Sequence, residues 1–404
     1  MGALAITGGP PVRTRPYPRW PVWDGAERQG LIDVLESGDW WATEGTKVAA
    51  FEAAFGAFHG TAPAVACTNG THAIELALSA LGVGEGDEVI VPGWTFLATA
   101  SAVLALGADP VLVDVDPTTG CIDPALVEAA VTGRTAAVVA VHLAGHPADL
   151  DTLTELSRRQ QLALVEDCAH AHGSTWRGRP VATWGDAGTF SFQASKLMTA
   201  GEGGAMVSRQ DDLLAAAKSF SDDGRRPGEW FHSHVVLGTN ARMTEWQGAV
   251  LLAQLGRFPE QQHRRSTNAR LLDERLRAIP GVHPQARDPR CTDQGHHGYL
   301  AFVDEAEFGA SREAIRFALL EEGIPVAVAY PPVHRIEAFA GKDGLGPRRR
   351  GHPGFADVQL PVTDRLSGAA LWFKTAVLMG SPDDALDVAV ALAKIQRHAR
   401  ELGA

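Results

Sequence analysis

Four short stretches of the chain set reactive side chains beside turn-forming residues. Thr68-Asn69-Gly70-Thr71 separates an apolar run from an amphipathic segment that starts near His72. Free backbone N–H groups at such a helix N-terminus favour a phosphate. The same residue types also make ordinary helix caps, so this stretch alone leaves both readings open. Glu166-Asp167 closes the apolar run LALVED, where a carboxylate can accept a hydrogen bond from a protonated heterocyclic nitrogen and keep that ring electron-poor. Ser191-Phe192-Gln193-Ala194-Ser195-Lys196 leads into a glycine-rich turn, Gly201-Glu202-Gly203-Gly204, whose backbone can pass close to a bound group. A buried lysine there has the lowered pKa that a Schiff-base nucleophile needs; the alternative is a lysine that snorkels to solvent. The fourth stretch, Gly238-Thr239-Asn240-Ala241-Arg242-Met243-Thr244-Glu245, precedes a long helical pattern. Thr244 suits an N-cap, whereas Asn240 and Arg242 have no evident structural duty.

Taken together, a phosphate cradle, a partner for a ring nitrogen and a Schiff-base lysine in this order point to pyridoxal 5'-phosphate. The strings of the competing nucleotide sites, G-x-G-x-x-G after the first strand and G-x-x-x-x-G-K-[ST], are absent. Cys168, His170 and His172 alternate and invite a metal reading. Zinc would want a fourth ligand or water and a supporting shell, and no second Cys/His cluster has matching spacing. A ring-facing His170 with no metal is the preferred expectation.

The elements that must position these residues follow from periodicity. From Ala64, short apolar runs alternate with helical patterns: AVAC then THAIELALSALG, EVIVP then TFLATASAVLALG, PVLVDVD then PALVEAAV, AAVVAVHLAG then LDTLTELSRRQ, and LALVEDCA. This βαβ rhythm predicts an α/β domain with a mostly parallel sheet covered by helices on both faces. Residues 244–279 read as a long helix with a kink at Pro259. Beyond it, GYLAFVD and VAVAY read as strands, SREAIRFALLEEG and PDDALDVAVALAKIQRHA as helices. The expected organisation is an N-terminal arm over residues 1–25, a large α/β domain over 26–255, and a connector helix with a small C-terminal α+β domain over 256–404. The Pro-, Trp- and Arg-rich residues 16–23 suit an arm laid over another surface, which suggests a second copy as partner.

Composition narrows the function. At 404 residues, 45% hydrophobic and 21% charged, the chain has ordinary globular make-up. A formal charge of -12 argues against nucleic acid or an anionic membrane as partner. Arg348-Arg349-Arg350 reads as a solvated loop. The absence of a signal-like or membrane-length apolar stretch predicts a cytoplasmic protein. Cys67, Cys121, Cys168 and Cys291 form no CxxC pair and read as buried thiols.

The sequence resembles the DegT/StrS family of sugar and aminocyclitol aminotransferases, of the aspartate-aminotransferase-like fold. The resemblance covers nearly the whole chain: GGPPVRT, YPRWPVWD, VLESGDWW, TNGTHAIELAL, VPGWTFLATA, VEDCAHAHG, SFQASKLMTAGEGG and GTNARMTE with AQL. It implies a pyridoxal-phosphate enzyme of fold type I with a seven-stranded sheet. By resemblance, Lys196 carries the cofactor as a Schiff base and moves the α-proton, and Asp167 pairs with the pyridine nitrogen. Gly70, Thr71 and Ser191 hold the phosphate, and Asn240 reaches the phosphate in a neighbouring subunit of a homodimer. Phe96 stacks on the ring, with Trp94 as the alternative stacker or a core aromatic. His170 stands where many sugar aminotransferases carry Gln, as in the branch of scyllo-inosose aminotransferases and 3-amino-5-hydroxybenzoate (AHBA) synthases. The implied reaction is ping-pong transfer of an amino group from L-glutamine or L-glutamate to a keto-cyclitol or keto-sugar in antibiotic-type biosynthesis. AHBA synthase, which dehydrates and aromatises a ring, is the nearest alternative. The GGPPVRT arm and PPVHR favour the cyclitol enzymes. A non-catalytic regulator or metal sensor on the same scaffold is a third reading, for which Lys196 in a Gly-rich pocket has no use.

Overall fold

The structure, a computed structural model, describes residues 3–226, 228–340 and 354–403. Arg348, Arg349 and Arg350 lie outside the described residues. The strands are β1 (Val65–Cys67), β2 (Glu88–Pro92), β3 (Asp109–Val113), β4 (Thr135–Val141), β5 (Ala163–Asp167), β6 (Thr175–Trp176), β7 (Arg179–Pro180), β8 (Ala187–Ser191) and β9 (Gly204–Val207). After the long helix come β10 (Val282–Pro284), β11 (Cys291–Asp293), β12 (Tyr299–Val303), β13 (Val326–Ala327) and β14 (Ala370–Phe373).

The main sheet has seven strands in the order β1-β9-β8-β5-β4-β2-β3. Only β9 runs against its neighbours; the β8–β5, β5–β4, β4–β2 and β2–β3 pairs are parallel. Strands buried on both faces need unbroken apolar runs, and TAAVVAV and EVIVP supply them. Each expected strand of the βαβ rhythm forms, followed by its helix. The C-terminal ends of β1, β8, β5, β4 and β2 therefore open onto one edge, where parallel α/β sheets collect ligands.

The helix Glu245–Leu276 runs unbroken through Pro259. Beyond it β10, β12, β14 and β13 form an antiparallel sheet in that spatial order. VAVAY yields only the two-residue β13, and β14, over the sequence ALWF, is an additional strand beside it. The helix Pro382–Arg397 starts from the Ser381/Asp384 capping box and buries Val388, Leu392 and Ile395 against this sheet. An apolar core in which Ile90, Trp94 and Val138 meet Leu300, Phe302 and Trp372 joins the two sheets. β11, β6 and β7 form a third, three-stranded sheet.

The N-terminal arm covers a surface of its own chain. Glu322 accepts hydrogen bonds from the Ala5 and Val12 amides and from Lys394 Nζ, and Arg13 is paired with Asp384 and Asp387. Further along, Trp20 Nε1 donates to the carbonyl of Ala194 at 3.1 Å. All four cysteines are free and buried. No helix among the described residues is long and apolar enough to cross a membrane.

Candidate active site

A cavity of about 820 Å³ opens at the shared strand edge. It is lined by Gly70 and Thr71 after β1, Thr95, Phe96 and Thr99 after β2, Asp167 and His170 at and after β5, and Ser191 and Lys196 at and after β8. Seven of the eight residues singled out for cofactor binding thus line one cavity.

Gly70 opens the helix Gly70–Ala80, whose N-cap Asn69 accepts from the amide of His72. A Cβ at Gly70 would stand 2.6 Å from Ser191 Cβ, so only glycine lets the helix start lie this close to the end of β8. Backbone donors at this helix end, with the Thr71 and Ser191 hydroxyls beside them, make a cradle of the size and polarity a phosphate ester needs. The capping and phosphate readings of 68–71 are compatible, because the cap side chain comes from Asn69.

Glu166 and Asp167 point to opposite faces of β5, as strand alternation requires. Glu166, fully buried, accepts from the amides of Ala182, Trp184 and Gly185 at 2.8 Å each and meets His142 Nε2 at 3.1 Å. Asp167 faces the cavity; Thr99 Oγ1 donates to its Oδ2 at 2.9 Å and the amide of Ala169 to its Oδ1 at 3.1 Å. Thr99 is itself bonded to Thr95 at 2.8 Å. These two threonines were not singled out in the sequence, although both sit within WTFLAT.

Lys196 follows the β8 loop and is 9% exposed. Burial pulls its pKa down to about 8, against the opposing pull of Asp167. The side chain does not snorkel to the surface; it lines the cavity with a largely desolvated amine. Phe96, 49% exposed, lines the cavity, its ring 5.7 Å from that of Tyr330. Trp94 is fully buried, with Nε1 donating to the Tyr330 carbonyl at 2.9 Å, and is a core aromatic.

His170 is buried between elements of both sheets. Its Nε2 lies 3.1 Å from Tyr330 Oη, and its ring stacks on His297 at 4.2 Å and 7°. Desolvation and the nearby Lys196 push its pKa well below the ordinary range, so the imidazole is neutral. Tyr330 closes VAVAY and adjoins PPVHR, and His297 lies in the loop between β11 and β12; sequence periodicity gives neither side chain its place beside His170.

Cys168, His170 and His172 do not converge into one ligand set among the described residues. The grouping that does is His142, Glu166 and Cys168, but Glu166 already has its backbone and His142 partners, and burial raises the Cys168 thiol well above its usual range. Asn240 is the one expected binding residue outside the cavity. It is exposed and bridges to Asp222 on the neighbouring surface. Arg242 does have a structural duty, pairing with Asp222 and Asp223 at 2.7 Å each.

The residues present fit pyridoxal phosphate: a glycine-dependent anion cradle, a carboxylate held by Thr99, a half-exposed aromatic ring and a buried lysine amine share one cavity.

Residues 23–392 match the DegT/DnrJ/EryC1/StrS aminotransferase family. An L-glutamine:2-deoxy-scyllo-inosose aminotransferase of Streptoalloteichus tenebrarius is 41% identical over 421 residues, covering 99% of both chains. The 3-amino-5-hydroxybenzoate synthase of Amycolatopsis mediterranei is 41% identical over 370 residues, 91% of this chain and 94% of that one. Among solved structures, an AHBA synthase superposes with a TM-score of 0.88 at 38% identity, covering 95% of this chain and 100% of that chain. DesI, crystallised with its TDP-sugar product, gives 0.85 at 35% identity, covering 99% and 98%.

Proposed function

Because the chain belongs to the DegT/DnrJ/EryC1/StrS aminotransferase family, we propose that it moves an amino group from L-glutamine or L-glutamate onto the ketone of a cyclitol or sugar ring, with pyridoxal phosphate held by Lys196. The observation that carries this reading is the meeting of Lys196, Asp167 and the Gly70–Ser191 cradle around one cavity. The printed activities of full-length relatives, L-glutamine:2-deoxy-scyllo-inosose aminotransferases at 37–41% identity, favour L-glutamine and a keto-cyclitol.

In this reading Gly70, Thr71 and Ser191 bind the phosphate, Asp167 holds a proton on the pyridine nitrogen, and Phe96 covers one face of the ring. Bound there, the cofactor supplies an electrophilic carbonyl carbon and an electron-poor ring that takes up charge from the amine carbon. Lys196 Nζ, with its pKa near 8, accepts and returns a proton near neutral pH, as a general base tuned by burial does. Thr99 fixes the carboxylate of Asp167, and the neutral His170 hydrogen-bonds rather than adding positive charge beside it.

We further propose a cytoplasmic homodimer in which Asn240 completes the partner's site. Asn240 lies outside its own cavity, and Trp230 and Leu237, 73% and 98% exposed, mark an apolar surface beside it. A cleanly monomeric and fully active species in sedimentation would refute this.

AHBA synthase activity is the second reading, favoured by the 0.88 superposition. Incubation with 2-deoxy-scyllo-inosose and L-glutamine, followed by mass spectrometry, separates the two. A saturated aminocyclitol is the expected product; no turnover on any keto-ring, with conversion of an aminated ring to an aromatic one, would favour the alternative.

A further inference from the structure

The loop that connects β11 to β12 is pinned from several sides. Arg265, fully buried on the long helix, donates through Nε to the Gly295 carbonyl at 3.1 Å, and Gln262 Nε2 to the Gln294 carbonyl at 2.8 Å. The Gly295 amide donates to Ser174 Oγ at 2.8 Å, and that of Gly298 to Thr375 Oγ1 at 3.0 Å. His296 is held at φ 59°, a left-handed conformation costing a non-glycine residue about 1 kcal/mol. The outcome of this pinning is the placement of one side chain. The His297 ring lies flat on His170, and its Nε2 donates to the carbonyl of Ser195, adjacent to Lys196, at 3.2 Å. Among the described residues Nδ1 of both imidazoles is buried without a hydrogen-bond partner, so neither ring sits where its own polar atoms would best be satisfied.

We propose that His297 is a positioning residue for amino transfer: stacked on His170 and bonded to the Ser195 carbonyl, it fixes the His170 ring and the backbone of Lys196 in one relation. The proposal rests on the aminotransferase reading and on Lys196 as the cofactor lysine. Tyr330 completes the array from the other end of His170. The loop before β12 thereby reaches the residue next to Lys196 through His297, and Tyr330 reaches only as far as His170. A displacement of a reacting group by about 1 Å costs on the order of a hundredfold in rate.

The test compares the cofactor-loaded full chain with H297A, which loses ring and donor, H297F, which keeps a stackable ring, and H297Q, which keeps a donor. Single-turnover bleaching by L-glutamine and the induced circular dichroism of the bound cofactor are read together. H297A is expected to bleach about a hundredfold more slowly with its glutamine KM within about twofold, and H297F and H297Q to fall between it and wild type. H297A should also lose most of the induced dichroism, which a residue that merely supports the fold would leave intact. If H297A does not fold, H297F and H297Q decide alone. Wild-type rate and dichroism in the variants that fold would overturn the proposal while the function stands. A wild-type chain that neither binds the cofactor nor bleaches would instead remove the function, and the proposal with it.

Discussion

Thr99 Oγ1 donates to Oδ2 of Asp167 over 2.9 Å, linking the helix that follows β2 to the end of β5. Both groups are buried, so the bond is made away from competing water. It leaves Oδ1, which among the described residues accepts from the Ala169 amide alone, with capacity for a further donor.

Thr99→Val removes that donor at nearly constant volume. It should weaken cofactor binding by roughly tenfold, the cost of one buried hydrogen bond to a charged group. Titrating the apoprotein with pyridoxal phosphate by absorbance checks this. Unchanged affinity would mean that Thr99 does not orient Asp167.

Asp167→Asn keeps the shape and removes the charge. Cofactor should still bind, but single-turnover bleaching by L-glutamine should fall on the order of a hundredfold, since a neutral amide cannot hold the ring nitrogen protonated. Stopped-flow absorbance on the loaded variant measures it; a wild-type rate would separate Asp167 from the chemistry.

Gly70→Ala places a methyl group 2.6 Å from Ser191 Cβ. Overpacking of this kind costs about 1–3 kcal/mol, and the displacement should open the cradle. The variant should melt lower than wild type without cofactor, and the stabilisation that added cofactor gives to wild type should shrink. Thermal denaturation with and without pyridoxal phosphate reads both effects.

Lys196 has a folded-state pKa of about 8 against an ordinary 10.5. Between these values the unfolded chain binds more protons than the folded one, so this group makes stability rise with pH across that window. Its contribution is on the order of 3 kcal/mol, fully unfavourable below pH 8 and relieved above 10.5. Urea midpoints of the cofactor-free protein, compared with Lys196→Met from pH 7.5 to 10, should converge as pH rises. Parallel curves would contradict the lowered pKa.

Much of this was legible in the sequence because it is local. The β5 run ending in Glu166-Asp167 and the turn at 68–71 declared their strand ends by composition, and the fold places Asp167, Gly70, Ser191 and Lys196 around one cavity. What escaped depends on distant pairings. His297 meets His170 across 127 residues of chain through a pinned loop with no periodicity, and Tyr330, the last residue of VAVAY, lies beyond the end of β13, where strand alternation does not give its direction. Arg242 looked free because its partners, Asp222 and Asp223, lie across a loop. The arm over 16–23, expected to lie over another surface, is bonded to its own chain at Ala194.

The most direct test of the central claim is the absorbance spectrum of the protein loaded with pyridoxal phosphate, wild type and Lys196→Ala, before and after L-glutamine. The account predicts a yellow Schiff-base band in wild type that glutamine bleaches, and its absence from the variant. A wild-type protein that develops no such band with added cofactor, or a variant with the same band and the same bleaching, would contradict it.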